Sequence, residues 1–461
     1  MNLAFWPAAD SLNVQSTMTM SNRDLSRRKF IASTSAFLLA SQLPAAEKET
    51  GLADASKLAL EGGPRSVKKT PPKPIRWGEP ERERLLAMLN QNSLLYWKAP
   101  QTTLLIERFK EHCPLKYVMN CSSGTAAVHI AIATAGIGPG DEVITTPVTD
   151  MGSVIGILFQ QGVPVFADLN PHDCNLNVTD VERKITSRTK AILAVHLGGN
   201  PCRLNELKAL AEKHKLILIE DCAQAWGTKY QDQPIGTIGH IACFSLQDSK
   251  QITCGDGGLV ASSDDRFGPL LQRFGDKGID RVNVKTPTEV LATNYRMSEP
   301  QAAVAAAQMN RMQAIASQRA KLGDLLTKEI TGVAGISSHQ VDEHDRCTYY
   351  FYMLRLQLNK FSCGREQFVK ALNAEGVTAS AGYIPEPLYK KPVFLKHAFF
   401  AGRWPIKEMG LTSMDYGKAS CPEAEAILQT CVLLRINEAM DEEYIRNAGA
   451  GIRKVAKHFA V

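Results

Sequence analysis

Three short segments hold residues whose types and spacing can do chemistry. Asp221 ends the apolar run Leu216-Ile217-Leu218-Ile219-Glu220-Asp221, and Gln224 follows it. A carboxylate at the mouth of a buried strand costs desolvation unless it meets a cation. Taken alone, a strand-ending acid is more often a cap for the next helix. Ser245 closes a second apolar run, and Lys250 follows before Gly255-Asp256-Gly257-Gly258. Glycines there permit tight turns and close approach to a ligand. A lone loop lysine is ordinary surface charge. Ser122-Ser123-Gly124-Thr125 lies between a strand-like and a helix-like run. Backbone N–H groups and hydroxyls at such a helix start make an anion site suited to phosphate, or a plain cap.

The elements that must position these residues follow from the pattern of the chain. The 461 residues are enough for a sizeable core and two domains. Apolar residues make up 44% and charged residues 22%, ordinary for a globular protein. The formal charge of +6 is spread out, so a nucleic-acid or polyanion role has no support. Eleven cysteines stand singly, without a zinc, redox or disulfide-framework pattern, which reads as buried free thiols and no metal site.

Residues 1–46 differ from the rest. Ser26-Arg27-Arg28-Lys29-Phe30-Ile31 opens a short apolar run ending at Ala40, followed by Pro44-Ala45-Ala46 and Glu47-Lys48-Glu49. That is the order of an export signal. The twin arginines beside Phe30 resemble the signal of the route that exports folded proteins, which predicts a periplasmic protein. The alternative is a disordered leader, with a start at Met18 or Met20 and a cytoplasmic protein. The run is too short to be a stable membrane anchor.

Residues 47–115 read as an extended lead-in plus helices over 79–91 and 102–112. From 116 to 324, strand-like runs such as 116–120, 141–145, 163–168, 191–196, 216–221, 241–245 and 258–262 alternate with helical stretches. This predicts crossover units and a mainly parallel sheet covered on both faces. Ligands in such sheets bind at the carboxyl ends of the strands, where the three segments lie. A long helix over about 299–319 closes this part. Residues 325–461 read as a smaller α+β domain.

From about Gly62 onward, the ordered motifs resemble the DegT/StrS family of sugar aminotransferases. They are Ser122-Ser123-Gly124-Thr125-Ala126-Ala127, Gly136-Ile137-Gly138-Pro139-Gly140-Asp141-Glu142-Val143, Val195-His196-Leu197-Gly198-Gly199, and Glu220-Asp221-Cys222-Ala223-Gln224-Ala225. The Ser245-to-Lys250 spacing, Gly255-Asp256-Gly257-Gly258 and Asn294-Tyr295-Arg296-Met297 complete the series. The resemblance implies the aspartate-aminotransferase fold (fold type I), with a mainly parallel seven-stranded sheet. It also implies pyridoxal 5'-phosphate (PLP), bound by Lys250 as a Schiff base. Asp221 would pair with the pyridine nitrogen, and Gln224 with the ring hydroxyl. Gly124, Thr125 and Ser245 would hold the phosphate. Asn294 would reach the phosphate of a neighbouring subunit, which implies a homodimer with shared sites. His196 would lie near the cofactor face, as a substrate or ring contact or as a structural residue. The implied reaction moves an amino group from glutamate or glutamine to a keto-sugar or keto-cyclitol.

Two departures bear on the substrate. Where the family carries a ring-stacking aromatic residue, this chain has Pro147-Val148-Thr149-Asp150-Met151. Met151 could lie on the ring through its polarizable sulfur, or Asp150 could face a substrate hydroxyl or amine. Where many relatives have histidines, this chain reads Cys347-Thr348-Tyr349-Tyr350-Phe351-Tyr352, which makes Tyr350 a candidate substrate contact. A sugar dehydratase is the alternative chemistry, but such relatives replace the Schiff-base lysine by histidine. A non-catalytic regulator is the alternative outside enzymology, and the intact Lys250, Asp221 and Gln224 set argues against it.

Overall fold

The computed structural model describes residues 56–461 apart from 284 and 286. The export-signal reading of 1–46 lies outside the described residues. Two helices precede the first sheet, α1 Glu79–Leu89 and α2 Pro100–His112. Each carries proline in its first turn, where the missing N–H costs nothing.

The large sheet is built from β1 Tyr117–Cys121, β2 Glu142–Thr145, β3 Val163–Phe166, β4 Thr189–Val195, β5 Ile217–Asp221, β8 Ile241–Ser245 and β9 Gly258–Ser262. A small hairpin, β6 Lys229–Tyr230 and β7 Gln233–Pro234, lies between β5 and β8. The spatial order is β1-β9-β8-β5-β4-β2-β3, and only β9 runs against the others. Crossover helices are α3 Gly124–Thr134, α4 Gly152–Phe159, α5 Val178–Arg183 and α6 Leu204–His214, with α7 Gly268–Gly275 after β9. The central strands are continuous apolar runs buried on both faces, as a covered parallel sheet requires. Parallel order places the ends of β4, β5 and β8 along one edge, so Val195, Asp221 and Ser245 become neighbours.

Helices α8 Glu299–Met309 and α9 Met312–Ile330 follow. The long helix expected over 299–319 is thus two helices, and the second runs through the boundary expected at 324. Packing explains it. Met312, Ile315 and Ala316 belong to the core under the large sheet, whereas Leu322, Leu326 and Ile330 belong to a second core. One helix therefore serves both.

The second sheet is antiparallel, in the order β10-β11-β13-β12, from β10 Ile336–Ser338, β11 Tyr352–Leu356, β12 Ala379–Ala381 and β13 Cys431–Leu434. Met353 and Leu433 join the first core, while Tyr352, Leu354, Val432 and Leu434 join the second. That period of two shows a sheet buried on both faces. Helices α10 Arg365–Ala374 and α14 Glu442–Phe459 complete the second core. Between them lie the short α11 Pro392–Leu395 and α12 Pro405–Glu408, then α13 Pro422–Thr430. All eleven cysteines are free, and only Cys254 is not fully buried. No helix among the described residues is long and apolar enough to cross a membrane.

Candidate active site

The carboxyl edge of the large sheet opens on a cavity of about 460 Å³, and its walls include Gly124, Thr125, Asp150, Asp221, Gln224, Ser245, Lys250 and Tyr350. Ser123 caps α3 by accepting from the Ala126 N–H at 3.0 Å, and Ser123, Gly124 and Thr125 of this turn line the cavity. Gly124 is required by space: a Cβ there would lie 2.6 Å from the Ser245 Cβ. Across the cavity floor, a Cβ on Gly152 would lie 2.6 Å from the Thr125 hydroxyl oxygen.

Asp221 is 4% exposed. Its Oδ2 accepts from the Ser153 hydroxyl at 2.7 Å and its Oδ1 from the Ala223 N–H at 3.1 Å. Both donors are neutral. Burial pushes the carboxyl above its ordinary value, against the pull of Ser153, Ala223 and the Lys250 charge. A carboxylate held this way is short of a cation.

Lys250 stands over the Tyr350 ring, with Nζ 4.6 Å from the centroid. Its loop is shaped by local bonds, Lys250 N–H to the Gln247 carbonyl at 2.9 Å and Ser249 Oγ to Gln247 Oε1 at 2.6 Å. Arg76 clips the loop from outside by donating to the Lys250 carbonyl at 2.5 Å. The Arg76 carbonyl is in turn held by Gln308 and Arg311 of the α8–α9 region.

Gln224 is bonded on both sides of its amide. Oε1 accepts from the Gly198 N–H at 2.8 Å, and Nε2 donates to the Tyr383 hydroxyl at 2.9 Å. The second N–H of Nε2 remains for a ligand.

Tyr350 reaches the cavity through a strained turn. Tyr349 has φ 42°, in the left-handed region that a tyrosine rarely occupies. Its ring stacks on Tyr352, and its hydroxyl donates to Asp324 at 2.8 Å. Gly198 and Gly199, at φ 66° and 88°, present carbonyls to the N–H groups of Tyr350 and Thr348. The turn sends Tyr349 into the second core and Tyr350 into the cavity. The turn precedes β11, which begins at Tyr352.

Three expected residues are not on the cavity wall. Met151, in αR conformation before α4, is partly buried against the large-sheet core, and Asp150 is the residue that lines the cavity. His196 is 0% exposed and lies beneath the site. Its Nδ1 accepts from the Cys202 N–H at 3.0 Å, which puts its proton on Nε2, 3.2 Å from Glu220 Oε2. Val195 lines the cavity in its place. Of the two roles open to His196, these contacts are those of a structural residue. Asn294 is exposed, accepts from Arg296 Nε at 2.8 Å, and does not line the cavity of its own chain.

Glu220 explains what His196 does. Its carboxylate also accepts from the N–H groups of Gly236 (2.6 Å), Ile238 (3.0 Å) and Gly239 (2.5 Å), the turn that leads into β8. Burial pushes its carboxyl up, but His196 and those N–H groups outweigh it, and the net shift is down. Glu220 therefore adds stability above the ordinary carboxylate value, and that stability is lost as pH falls through its lowered folded value. Glu220→Ala is expected to cost about 3 kcal/mol at neutral pH, measured by urea denaturation; an unchanged midpoint would refute this structural role.

Sequence reasoning passed over Ser153, Tyr383 and Arg76. Ser153 lies in the first turn of α4, and Thr149 lies 2.8 Å from its hydroxyl. A serine at a helix start carries no signal of a carboxylate partner. Tyr383 arrives from the segment after β12, and burial raises its phenol well above the usual value.

Fold and cavity together define an α/β transferase of the aspartate-aminotransferase type, with a lysine, a buried carboxylate and an anion cradle at one sheet edge. Residues 77–453 match the DegT/DnrJ/EryC1/StrS aminotransferase family, and the chain belongs to it. An aminotransferase of solved structure from Psychrobacter cryohalolentis superposes with TM-score 0.74 at 26% identity, covering 85% of this chain and 100% of the other. The GDP-perosamine synthase of Escherichia coli O157:H7 is 34% identical over 56% of this chain and 70% of its own length. A Micromonospora echinospora protein, provisionally named L-glutamine:3-amino-2,3-dideoxy-scyllo-inosose aminotransferase, is 31% identical over 80% of this chain and 87% of its own length.

Members of this family depend on pyridoxal phosphate, and the residues here fit it. Asp221 lacks a cation of the kind a protonated ring nitrogen supplies. The Gly124–Ser245 cradle has the donors for a phosphate and no room for a larger side chain. Gly124→Ala is expected to weaken cofactor binding by about 10- to 100-fold, the cost of overpacking a close contact. Fluorescence titration with pyridoxal phosphate checks it, and an unchanged affinity would place the phosphate elsewhere.

Proposed function

We propose that this protein is a pyridoxal-phosphate-dependent aminotransferase that moves an amino group from glutamate or glutamine to a keto-sugar or keto-cyclitol. The observation that carries this reading is the meeting of Lys250, Asp221 and the Gly124 cradle in one cavity. Bound there, the cofactor supplies an electron sink for the carbon that loses its proton. The protein does the rest. The Ser123–Thr125 turn and Ser245 hold the phosphate, and Asp221 keeps a proton on the ring nitrogen. Gln224 offers its remaining N–H to the ring hydroxyl. The Lys250 amine, which stands over the Tyr350 ring, anchors the cofactor and then accepts and returns one proton at the reacting carbon. Asn294, exposed and off the cavity wall of its own chain, would serve the site of a second copy in a homodimer.

The test is a spectroscopic screen of the purified protein. Uptake of pyridoxal phosphate should turn it yellow, and glutamate or glutamine should bleach the colour. A protein that takes up no cofactor, or whose colour no amine changes, would sink the proposal.

We also propose that the leader, 1–46, exports the folded protein to the periplasm, which would favour a substrate other than a cytosolic nucleotide-sugar. Fractionation of the native protein tests it.

A further inference from the structure

We infer that Arg76 is a positioning residue for the reaction: by holding the Lys250 carbonyl, it fixes where the Lys250 amine meets the cofactor and the reacting carbon. The inference rests on the aminotransferase reading. It names a residue off the cavity wall on which turnover depends.

The loop that carries Lys250 has little of its own to hold it. It joins β8 to β9 without strand or helix. Leu246 closes its base, donating to the Gly257 carbonyl at 2.8 Å and accepting from the Cys254 N–H at 3.0 Å. Between those ties, the Lys250 N–H reaches only the Gln247 carbonyl within the same loop. Arg76 Nη1, at 2.5 Å, is the only donor to the Lys250 carbonyl among the described residues. A lysine carries its amine on a flexible four-carbon stem, so the backbone that launches the stem decides where the amine can go.

An arginine on a lead-in segment is ordinarily solvated charge. This one forms no ion pair with a carboxylate among the described residues, and its guanidinium answers a backbone carbonyl. Its own backbone is fixed. The Arg76 carbonyl accepts from Gln308 Nε2 at 2.7 Å and from Arg311 Nη2 at 2.6 Å. Both donors also reach Glu81 Oε1, at 3.0 and 2.5 Å, while Glu81 Oε2 accepts from the Gly78 N–H at 2.8 Å. Glu81 and Gln308 are buried. The α8–α9 junction thus grips the chain at Arg76 and Gly78, and Arg76 passes that grip to Lys250. The bond to Lys250 is charge-assisted, stronger than the neutral bonds inside the loop. Its loss matters because a displacement of about 1 Å at a reacting centre costs about 100-fold in rate.

The experiment compares full-length wild type, Arg76→Met and Arg76→Lys. Methionine keeps an unbranched stem and loses the donor, while lysine keeps a charged donor. Should Arg76→Met fail to fold, Arg76→Gln takes its place. Each protein is loaded with pyridoxal phosphate and bleached with glutamate or glutamine in single turnovers. We expect the maximal bleaching rate of Arg76→Met to fall by about 10- to 100-fold, the size of one charge-assisted hydrogen bond. The half-saturating amine concentration should stay within about 3-fold, because Arg76 touches no ligand. Arg76→Lys should return to within about 5-fold of the wild-type rate, since it restores a charged donor. The visible circular dichroism of the bound colour reports how the cofactor is held, independently of turnover. It should weaken in Arg76→Met and recover in Arg76→Lys. An unchanged maximal rate in Arg76→Met would overturn the inference, and so would a raised half-saturating concentration at an unchanged rate. Equal losses in both variants, with lower melting of both cofactor-free proteins, would reduce Arg76 to a structural residue and overturn it too. Wild type whose colour no amine changes would sink the aminotransferase reading, and this inference with it.

Discussion

Lys250→Ala is expected to lower turnover by about 10⁴-fold or more and to leave a protein that cannot form the yellow lysine-bound state. Two functions would be lost together, because under the proposed reading the same amine anchors the cofactor and carries the proton. The fold should survive. The Lys250 side chain contacts the Tyr350 ring, while its backbone supplies the bonds to Gln247 and Arg76 that shape the loop. Thermal unfolding of the cofactor-free variant should therefore stay within about 0.5 kcal/mol of wild type. Retained colour together with turnover within 10-fold of wild type would move the chemistry to another residue.

Asp221→Asn is the second large effect. Without the carboxylate, nothing holds a proton on the ring nitrogen, and turnover should fall by about 10²- to 10³-fold, as for loss of one preorganised electrostatic contact. Stability should move the other way in the cofactor-free protein. Burial raises the Asp221 carboxyl, so the folded chain keeps a proton that the unfolded chain has already released. Wild-type stability therefore falls as pH rises from the ordinary carboxylate value through the raised one. Above that interval the asparagine variant, with no charge to bury, should melt higher than wild type; below it the two should converge. Added pyridoxal phosphate should reverse the order at neutral pH by giving wild-type Asp221 its cation. Melting curves across pH, with and without cofactor, check each part. A variant that melts lower at every pH without cofactor would make Asp221 a structural carboxylate.

Much of this site was legible along the chain. Asp221 and Ser245 end the neighbouring parallel strands β5 and β8 and Lys250 follows β8, and such strands end on a common edge. Gly124 was legible because a glycine beside a helix start tells of close approach, and the Ser245 Cβ is what approaches. His196 and Met151 were not. Each sits one residue from a true wall residue, Val195 or Asp150. Side chains of neighbouring residues at a strand end or helix start point in different directions, so a motif locates the segment and not the side that faces the ligand. Tyr383 and Arg76 were beyond reach for another reason. Tyr383 meets Gln224 from a distant part of the chain, and Arg76 meets the Lys250 carbonyl from the lead-in. No local pattern records a meeting of that kind.

What the amino-acid sequence by itself determined was the fold class, from strand and helix periodicity and turn glycines, and the family, from the order of its motifs; the roles of the lysine, the carboxylate and the phosphate segment are what that resemblance implies. What only the tertiary structure decided was the substrate side of the cavity. The strained Tyr349 turn aims Tyr350 at Lys250, Tyr383 crosses from the second sheet to Gln224, and α9 joins two cores that the chain seemed to divide near 324. These features arise from long-range packing, in which burial of one residue dictates where its neighbour must point.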